Sequence, residues 1–251
     1  RILNKTVALL PRSMQNSLAR KRLRVQRVEL HDRIRNRPRL VPEEDLRSLL
    51  LRGLRLLTQR HGAESIGAYL EFGVYNGTSL VCMSKALDAM GLDHVRLVGF
   101  DSFQGFPPTA AVEDGGRWQP GRCHSTQEFT TAVLHHEGVD PSRVTLVPGW
   151  FSETLNEQTA RDLRIDKASV IMIDCDLYSS TRDALEFCAP LIQDEALILF
   201  DEWSPRSLEG KNMGERRAFA EFLRRHPRFT AVPFGKYANR TETFLVSRRR
   251  T

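Results

Sequence analysis

The stretch YLEFGVYNGTSL, residues 69–80, joins a short apolar strand to a hydroxyl-rich helix start through two glycines. Glu71 lies two residues before Gly73, and Gly77 follows four residues after Gly73. A glycine directly after a strand lets the backbone turn sharply and approach a ligand closely. A dinucleotide site requires G-x-G-x-x-G, and a phosphate loop requires a lysine after its second glycine. Neither pattern is present and the loop carries an acid, so the stretch predicts a ligand site that does not bind phosphates.

Short apolar strands and helices alternate after this stretch. The predicted strands are residues 68–72, 94–101, 143–147, 168–174 and 196–200, and the helices between and after them are residues 78–91, 125–138, 153–163, 179–192 and 214–226. This alternation predicts a parallel sheet with helices on both faces. Strands 229–234 and 241–247 are joined by GKYANR, which is too short for a crossover helix, so they are predicted to pair antiparallel. The predicted fold class is α/β, a doubly wound Rossmann-like sheet of seven strands.

The N-terminal region is predicted to be a basic helical extension. Residues 1–40 hold 12 Lys and Arg against two acidic residues, a net charge of +10, whereas the remaining residues have a net charge of −4. Residues 42–59 carry acids in the first turn and a stripe of leucines, which predicts an amphipathic helix. The predicted division is an N-terminal helical extension or lid, residues 1–62, followed by one α/β domain, residues 63–251.

The basic arm has several candidate roles. It can cover the folded body, form a solvated face, or contact nucleic acid or anionic lipid. Because the body is mildly acidic, a surface that follows phosphates is disfavoured and no nucleic-acid partner is predicted. The N-terminal helices are also a candidate surface for homo-oligomerisation.

The composition predicts a globular protein. Hydrophobic residues make up 41% of the chain and charged residues 27%, which is ordinary for such a protein. No apolar run approaches the ~18 residues that a membrane span needs. The four cysteines form no CxxC pair, and three of them lie in apolar segments, so they are predicted to be reduced core thiols of a cytoplasmic protein.

The ends of the second and third predicted strands carry candidate ligand contacts, because doubly wound sheets bind ligands beyond the carboxyl ends of their strands. Asp101 lies one βαβ unit after Glu71, where a carboxylate can accept both hydroxyls of a ribose; its alternative role is that of a turn residue. Gly149 is followed by Trp150 and Phe151, whose rings can sandwich a planar base or pack under the next helix. The first two strand ends indicate a nucleoside without a pyrophosphate.

Four carboxylates follow the fourth and fifth predicted strands: Asp174, Asp176, Asp201 and Glu202. If these strands are neighbours, the carboxylates crowd one edge of the sheet and raise one another's pKa values. A hard cation with oxygen ligands relieves this repulsion, and Mg²⁺ fits such a site. The alternative is that the acids point apart, cap helices or pair with Arg182 and Lys211.

Five sequence blocks, taken in order, resemble class I S-adenosylmethionine-dependent methyltransferases: EFGVYNGTSL, FDSFQGFP, PGWFSETL, DCDLYSST and DEW, within residues 71–203. Within this class the chain is similar to the macrocin and mycinamicin sugar O-methyltransferase family. The resemblance implies a sheet with one antiparallel strand, S-adenosylmethionine as cofactor, and Mg²⁺ held by Asp174, Asp201 and Glu202. The family usually has a second aspartate where this chain has Glu202 and a glycine where it has Cys175.

The resemblance and the strand ends together predict which residues contact S-adenosylmethionine. They belong to the loop after the first strand, the ends of the second and third strands and the end of the fourth: Glu71, Gly73, Val74, Tyr75, Asn76, Gly77, Thr78, Ser79, Asp101, Ser102, Phe103, Gly149, Trp150, Phe151 and Asp174.

The resemblance also implies a reaction, the transfer of a methyl group to a hydroxyl of a sugar or glycosylated natural product. The family's general-base histidine lies before the third helix, where this chain has His124. A carboxylate such as Asp174 is the other candidate base. The alternative role of His124 is that of an exposed loop residue. The irregular residues 102–124 are a candidate substrate loop. The rival functions are a catechol-type O-methyltransferase, a non-catalytic S-adenosylmethionine-binding protein and a nucleic-acid methyltransferase.

Overall fold

The computed structural model describes residue 24, residues 26–204 and residues 211–249. The chain forms two compact units, Arg1–Pro38 and Arg39–Thr251. In the first unit residues 26–35 are helical, and most of the basic arm lies outside the described residues. The roles and the homo-oligomerisation proposed for this arm therefore stay predictions.

Strands and helices alternate along the described part of the second unit. The strands are β1 (Ala68–Phe72), β2 (Leu97–Asp101), β3 (Val144–Pro148), β4 (Ala168–Ile173), β5 (Glu195–Phe200), β6 (Phe229–Gly235) and β7 (Glu242–Arg248). The helices are α1 (Glu43–His61), α2 (Thr78–Ala89), α3 (Gln127–His136), α4 (Phe151–Thr154), α5 (Glu157–Asp162), α6 (Tyr178–Cys188) and α7 (Gly214–Arg225). Short 3-10 helices lie at Ala63–Ser65, Pro108–Ala111 and Glu113–Gly116.

The helix predicted over residues 153–163 is two short helices instead. Leu155, with a ψ of 80°, ends α4, and Asn156 is fully extended. The Asn156 side chain accepts a hydrogen bond from the backbone N–H of Thr159, which caps the start of α5. An asparagine favours this capping position over a helix interior, and that preference explains the break.

The seven strands form one sheet in the order β3-β2-β1-β4-β5-β7-β6. Strands β1 to β5 are parallel, and β7 runs antiparallel to both β5 and β6. The predicted doubly wound, mostly parallel sheet with an antiparallel last pair is confirmed. The topology adds one feature: β7 inserts between β5 and β6, so the last described strand of the chain is not at the edge of the sheet.

Apolar side chains cover both faces of the sheet. On one face α1 and α2 pack leucines and methionine, for example Leu54 and Met83, against Tyr69 of β1. On the other face α6 and α7 pack phenylalanines, for example Phe187, against Phe72 of β1. Helix α1 thus belongs to the core of the second unit, although the sequence placed it in the N-terminal extension.

The irregular segment 102–124 binds the first residues of two helices. Asp114, which is buried, accepts a hydrogen bond from the backbone N–H of Tyr178 at the start of α6 and another from Gly214 at the start of α7, each at 2.9 Å. Glu113 accepts hydrogen bonds from the backbone and the hydroxyl of Ser179. Carboxylates satisfy the free N–H groups of helix starts and interact favourably with the helix dipole.

Replacing the Asp114 carboxylate should destabilise the fold. We expect Asp114→Ala to lower the free energy of unfolding by about 2 kcal/mol, because two helix starts lose a charged acceptor. Denaturant titration measures the change, and Glu128→Ala, an exposed acid in the first turn of α3, is the matched control. Equal stability of Asp114→Ala and the control would show that these two hydrogen bonds do not contribute.

Three of the four cysteines are core thiols, as the sequence predicts, and the fourth is not. Cys82, Cys175 and Cys188 are free and buried, and Cys123 is free and exposed. Burial raises the pKa of the Cys82 thiol to about 12.

Of the helices in the described part of the chain, none has the length and apolar character needed to cross a membrane.

Candidate active site

The first loop, residues 73–77, turns the chain from β1 into α2. Gly73 has a φ of +89°, and Gly77, with a φ of +81°, immediately precedes α2. Because β1 and β4 are paired neighbours, the Gly73 backbone lies directly against the end of β4, and a Cβ atom on Gly73 would overlap the carbonyl oxygen of Asp174. The first loop therefore requires glycine at residue 73 for both its conformation and its space.

Glu71 lies beneath the first loop and is fully buried. The Tyr69 hydroxyl donates to one of its carboxylate oxygens and the Ser79 hydroxyl to the other, both at 2.6 Å. Burial raises the pKa of Glu71 to about 8, against the opposing effect of these two hydrogen bonds. The carboxylate thus connects β1 to the first turn of α2 and holds the first loop from below.

The raised pKa of Glu71 has a consequence for stability. The folded protein keeps a proton on Glu71 between the ordinary pKa of about 4.5 and the folded value of about 8, whereas the unfolded chain releases it. The free energy of unfolding should therefore fall as pH rises through this interval. We expect Glu71→Gln to reduce that slope in denaturant titrations, while Glu64→Gln, at an exposed residue, keeps it. Equal slopes in all three proteins would contradict the assignment.

Asp101 joins the first loop to the segment after β2. One carboxylate oxygen accepts hydrogen bonds from the backbone N–H groups of Val74 and Tyr75 at 2.7 and 2.9 Å. The other oxygen accepts from the backbone N–H of Phe103 at 2.7 Å. Burial raises the pKa of Asp101, and these hydrogen bonds oppose the shift. An ionised carboxylate has about four acceptor positions, so it retains capacity for a ligand hydroxyl.

A cavity of about 580 Å³ lies beyond the carboxyl ends of the parallel strands. Its wall includes most of the residues predicted to contact a ligand: Gly73, Val74, Tyr75, Asn76, Thr78, Ser79, Asp101, Ser102, Gly149, Trp150, Phe151, Asp174, Asp201 and Glu202. The irregular segment contributes Phe106, Trp118 and Cys123 to the same wall. The candidate substrate loop and the candidate cofactor residues therefore face one space.

Four predicted site residues lie outside this wall. Glu71 and Gly77 are behind it, and Phe103 contributes its backbone to Asp101. His124 is an exposed residue of the irregular segment, and its Nδ1 lies 2.9 Å from the carbonyl oxygen of Gly121. The geometry places Asp174, the other candidate base, in the cavity wall and leaves His124 outside it.

The aromatic pair after β3 lines the cavity, and one of its two rings packs in the core. Gly149 has a φ of +140°, and Trp150 precedes α4. Phe151 packs edge-on against the buried Phe72, with ring centroids 5.8 Å apart, and both Trp150 and Phe151 line the cavity. Phe151 is thus anchored in the core, and the use of the two rings to sandwich a planar base stays a prediction.

Five acidic side chains form a carboxylate cluster at the ends of β4 and β5 and the start of α7: Asp174, Asp176, Asp201, Glu202 and Glu215. Burial raises the pKa of all five carboxyl groups. Repulsion from neighbouring carboxylates raises the pKa of all but Asp201 further. Because β4 and β5 are paired neighbours, the crowding expected from the sequence is present.

Three side chains from other elements partly offset this negative charge. Tyr237 donates its hydroxyl to Asp201 at 2.6 Å. Arg240 lies 3.4 Å from one oxygen of Glu202, and Arg117 lies 4.0 Å from the other. Arg182, one of the two cations proposed from the sequence to pair with the acids, donates to Asp183 instead.

The donor chemistry of the cluster suits a hard cation. All five side chains of the cluster offer carboxylate oxygens as ligands, and among the described residues the buried Glu202 Oε2 atom has no hydrogen-bond partner. Within the described residues, however, no three His, Cys, Asp or Glu side chains are already grouped as metal ligands. The oxygen donors fit Mg²⁺ by type, and the ligand set Asp174, Asp201 and Glu202 stays a prediction.

Sequence reasoning missed Glu215, Tyr237 and Arg240. Tyr237 and Arg240 lie in the turn between β6 and β7, which reaches the cluster because β7 pairs directly with β5. The antiparallel hairpin was predicted, but its position beside β5 was not. Glu215, at the start of α7, gave no sequence signal beyond an acid in the first helical turn.

Comparison with known proteins places the chain in a family. A sequence profile of the macrocin O-methyltransferase (TylF) family matches residues 49–224. One relative is the 8-demethyl-8-(2,3-dimethoxy-alpha-L-rhamnosyl)-tetracenomycin-C 4'-O-methyltransferase of Streptomyces olivaceus, which is 30% identical over 145 residues. Another is the demethyldecarbamoylnovobiocin O-methyltransferase of Streptomyces niveus, 30% identical over 146 residues. Each alignment covers 55% of this chain, which spans about half the length (53%) of these curated relatives.

Solved structures share the fold. The O-methyltransferase NovP superposes with a TM-score of 0.63 at 20% identity, over 81% of this chain and 80% of NovP. An O-methyltransferase from Bacillus cereus in complex with SAH superposes with a TM-score of 0.55 at 16% identity, over 98% of this chain and 97% of that one. Because the profile covers more than half of the chain, the sequence resemblance is confirmed, and this protein belongs to the macrocin O-methyltransferase (TylF) family.

Proposed function

We propose that this protein transfers a methyl group from S-adenosylmethionine to a hydroxyl of a sugar or a glycosylated natural product, with Mg²⁺ on the acceptor side. The observation that carries the proposal is the cavity, whose wall holds the first loop and Asp101 together with the acids Asp174, Asp201 and Glu202. Holding two reactants in one cavity removes a bimolecular entropy cost worth up to ~7–11 kcal/mol.

The sugar acceptor is supported by the relatives and by the wall of the cavity. The Streptomyces olivaceus relative is named as the 4'-O-methyltransferase of a rhamnosyl-tetracenomycin. In this chain Phe106 and Trp118 form an aromatic part of the wall, with ring centroids 5.4 Å apart. Such rings offer an apolar surface for the C–H face of a sugar, while the nearby carboxylates offer acceptors for its hydroxyls.

The methyl donor is assigned to the first loop and Asp101. Asp101 is fixed by three backbone N–H groups, so its carboxylate is already oriented to accept a ribose hydroxyl. Trp150 and Phe151 supply aromatic surface for the adenine. S-adenosylmethionine supplies an electrophilic sulfonium methyl group, and the hydroxyl oxygen of the acceptor displaces S-adenosylhomocysteine from it.

Mg²⁺ is assigned to Asp174, Asp201 and Glu202. A bound divalent cation lowers the pKa of a coordinated hydroxyl and orients it. Proton removal from the acceptor is assigned to Asp174, since it lines the cavity and His124 does not. Tyr237 holds the Asp201 carboxylate in place through its 2.6 Å hydrogen bond.

A methyl-transfer assay tests the proposal. The protein is incubated with S-adenosylmethionine, Mg²⁺ and a panel of deoxysugar nucleotides, rhamnosylated aromatic compounds and simple catechols. We expect a singly methylated glycoside by mass spectrometry, with turnover lost in EDTA. Methylation of catechols alone would favour the catechol-type rival, and S-adenosylhomocysteine binding without turnover on any acceptor would favour the non-catalytic one. Undiminished glycoside methylation without residues 1–40 would dismiss a nucleic-acid methyltransferase.

Asp101→Ala tests the donor half separately. We expect its dissociation constant for S-adenosylhomocysteine to rise at least about tenfold, because the ribose loses its acceptor and the first loop loses two hydrogen bonds. Isothermal titration calorimetry measures the constant, and Asp183→Ala, at another acid of the cavity wall, is the control. Unchanged affinity in Asp101→Ala would remove Asp101 from the donor site.

A further inference from the structure

Glu215 occupies an unusual position at the start of α7. Its side chain is fully buried, with an exposed fraction of 0%. One carboxylate oxygen accepts a hydrogen bond from the backbone N–H of Glu202 at 3.1 Å. The other, Oε1, is buried and has no hydrogen-bond partner among the described residues. A buried acceptor left without a partner is costly, so this oxygen calls for an explanation.

The ordinary explanation, a helix cap, does not account for the side chain. An acid in the first turn of a helix usually accepts hydrogen bonds from the free N–H groups there. At α7 the first N–H, that of Gly214, is bound by Asp114 at 2.9 Å. Glu215 instead reaches the backbone of Glu202, which belongs to the turn after β5.

The charges around Glu215 are predominantly negative. Asp176, Asp201 and Glu202 lie close enough for their charges to repel the Glu215 carboxylate. The arginines of this region, Arg117 and Arg240, lie next to Glu202. The unpartnered oxygen therefore belongs to a buried side chain that lies beside a group of carboxylates, an arrangement that a divalent cation within the group would stabilise.

We propose that Glu215 is a positioning residue for a divalent cation: it fixes the turn that carries Asp201 and Glu202 through the Glu202 backbone and adds negative charge behind these ligands. The inference rests on the proposed function, which places Mg²⁺ at Asp174, Asp201 and Glu202. To that site it adds Glu215, a buried acid on α7, and the affinity of the site for the cation depends on this acid.

Mn²⁺ binding without substrates tests this role, because the free ion gives an electron paramagnetic resonance signal that disappears on binding. Glu215→Gln keeps an oxygen for the Glu202 N–H and removes the charge; Glu215→Met removes both. Loss of a supporting group around a metal site typically weakens affinity about 10–100-fold, so we expect about tenfold for Glu215→Gln and more for Glu215→Met. Affinity for S-adenosylhomocysteine should stay unchanged in both variants, which a general loss of structure would not allow.

The control and the contradicting outcomes are distinct. The control is Glu221→Gln. Glu221 lies on the same helix, and its side chain pairs with Tyr178 and Arg217, so this variant should bind Mn²⁺ like the wild type. If the wild type binds Mn²⁺ and Glu215→Gln binds it equally well, the role of Glu215 is refuted while the proposed metal stands. If the wild type does not bind Mn²⁺, the metal part of the proposed function fails as well. If Glu215→Met does not fold, the Mn²⁺ affinity of Glu215→Gln, whose side chain is nearly isosteric with glutamate, tests the role of Glu215.

Discussion

Gly73→Ala is expected to destabilise the folded protein strongly. At a φ of +89° an alanine costs about 1–2 kcal/mol in backbone strain alone. Its Cβ would also overlap the carbonyl oxygen of Asp174 and lie 2.7 Å from the carbonyl carbon, and both are backbone atoms of the residue directly after β4. Because a backbone cannot move aside as a flexible side chain does, we expect a loss of more than about 4 kcal/mol in the free energy of unfolding.

Thermal unfolding measures this effect, and a second glycine supplies the control. A loss of this size should lower Tm by about 8 °C or more in a domain of this length. Gly91 has a φ of +64°, but no atom lies within 4 Å of a Cβ built there. Gly91→Ala should therefore cost only the strain of about 1–2 kcal/mol. Equal destabilisation by the two substitutions would mean that the contact between the first loop and β4 is not close.

Asp201→Ala is expected to remove turnover while sparing the methyl donor. Asp201 lies at the carboxylate end of the cavity, away from the hydrogen bonds that fix the first loop. If it holds the cation that activates the acceptor, kcat should fall about 1,000-fold, which corresponds to about 4 kcal/mol. The dissociation constant of S-adenosylhomocysteine should stay within about threefold of the wild-type value.

Tyr237→Phe is a milder change at the same site, to be compared with Asp201→Ala. It removes the hydroxyl that donates to Asp201 and leaves the carboxylate in place. We expect about a tenfold fall in kcat, between the wild type and Asp201→Ala, as for other groups that orient a metal ligand. Steady-state kinetics over a range of Mg²⁺ concentrations measures both variants. If Asp201→Ala keeps full activity in the presence of a chelator, the proposed metal is eliminated.

The fold was predictable because each strand, and the helix that follows it, has a recognisable pattern of apolar residues. Buried strands such as β4, followed by amphipathic helices such as α6, alternate with short connections. A parallel sheet with covered faces follows from this pattern. The insertion of β7 beside β5 was not predictable from the same signals, since a hairpin can add to a sheet through either of its two strands.

The candidate site was predictable where it lies at a strand end and less so elsewhere. Asp101 is the last residue of β2 and Asp174 directly follows β4, so the topology alone brings them to one edge of the sheet. Glu71 lies within β1, and the two-residue period of a strand directs it toward the same face as Tyr69, under α2. The sequence does not show which face of the sheet this is, because that depends on how the helices pack. The sequence alone therefore predicted a ligand contact for Glu71, whereas in the structure Glu71 is a buried support of the first loop.

The position of β7 between β5 and β6 also affects how the protein is made on the ribosome. While β6 is emerging, β5 still has an open hydrogen-bonding edge, and β6 has no strand to pair with until residues 242–248 follow. The nascent chain therefore carries an exposed apolar edge through the synthesis of α7 and β6, and such edges promote association between chains. Chaperone protection during this interval would matter more for this topology than for one in which each new strand completes the sheet as it appears.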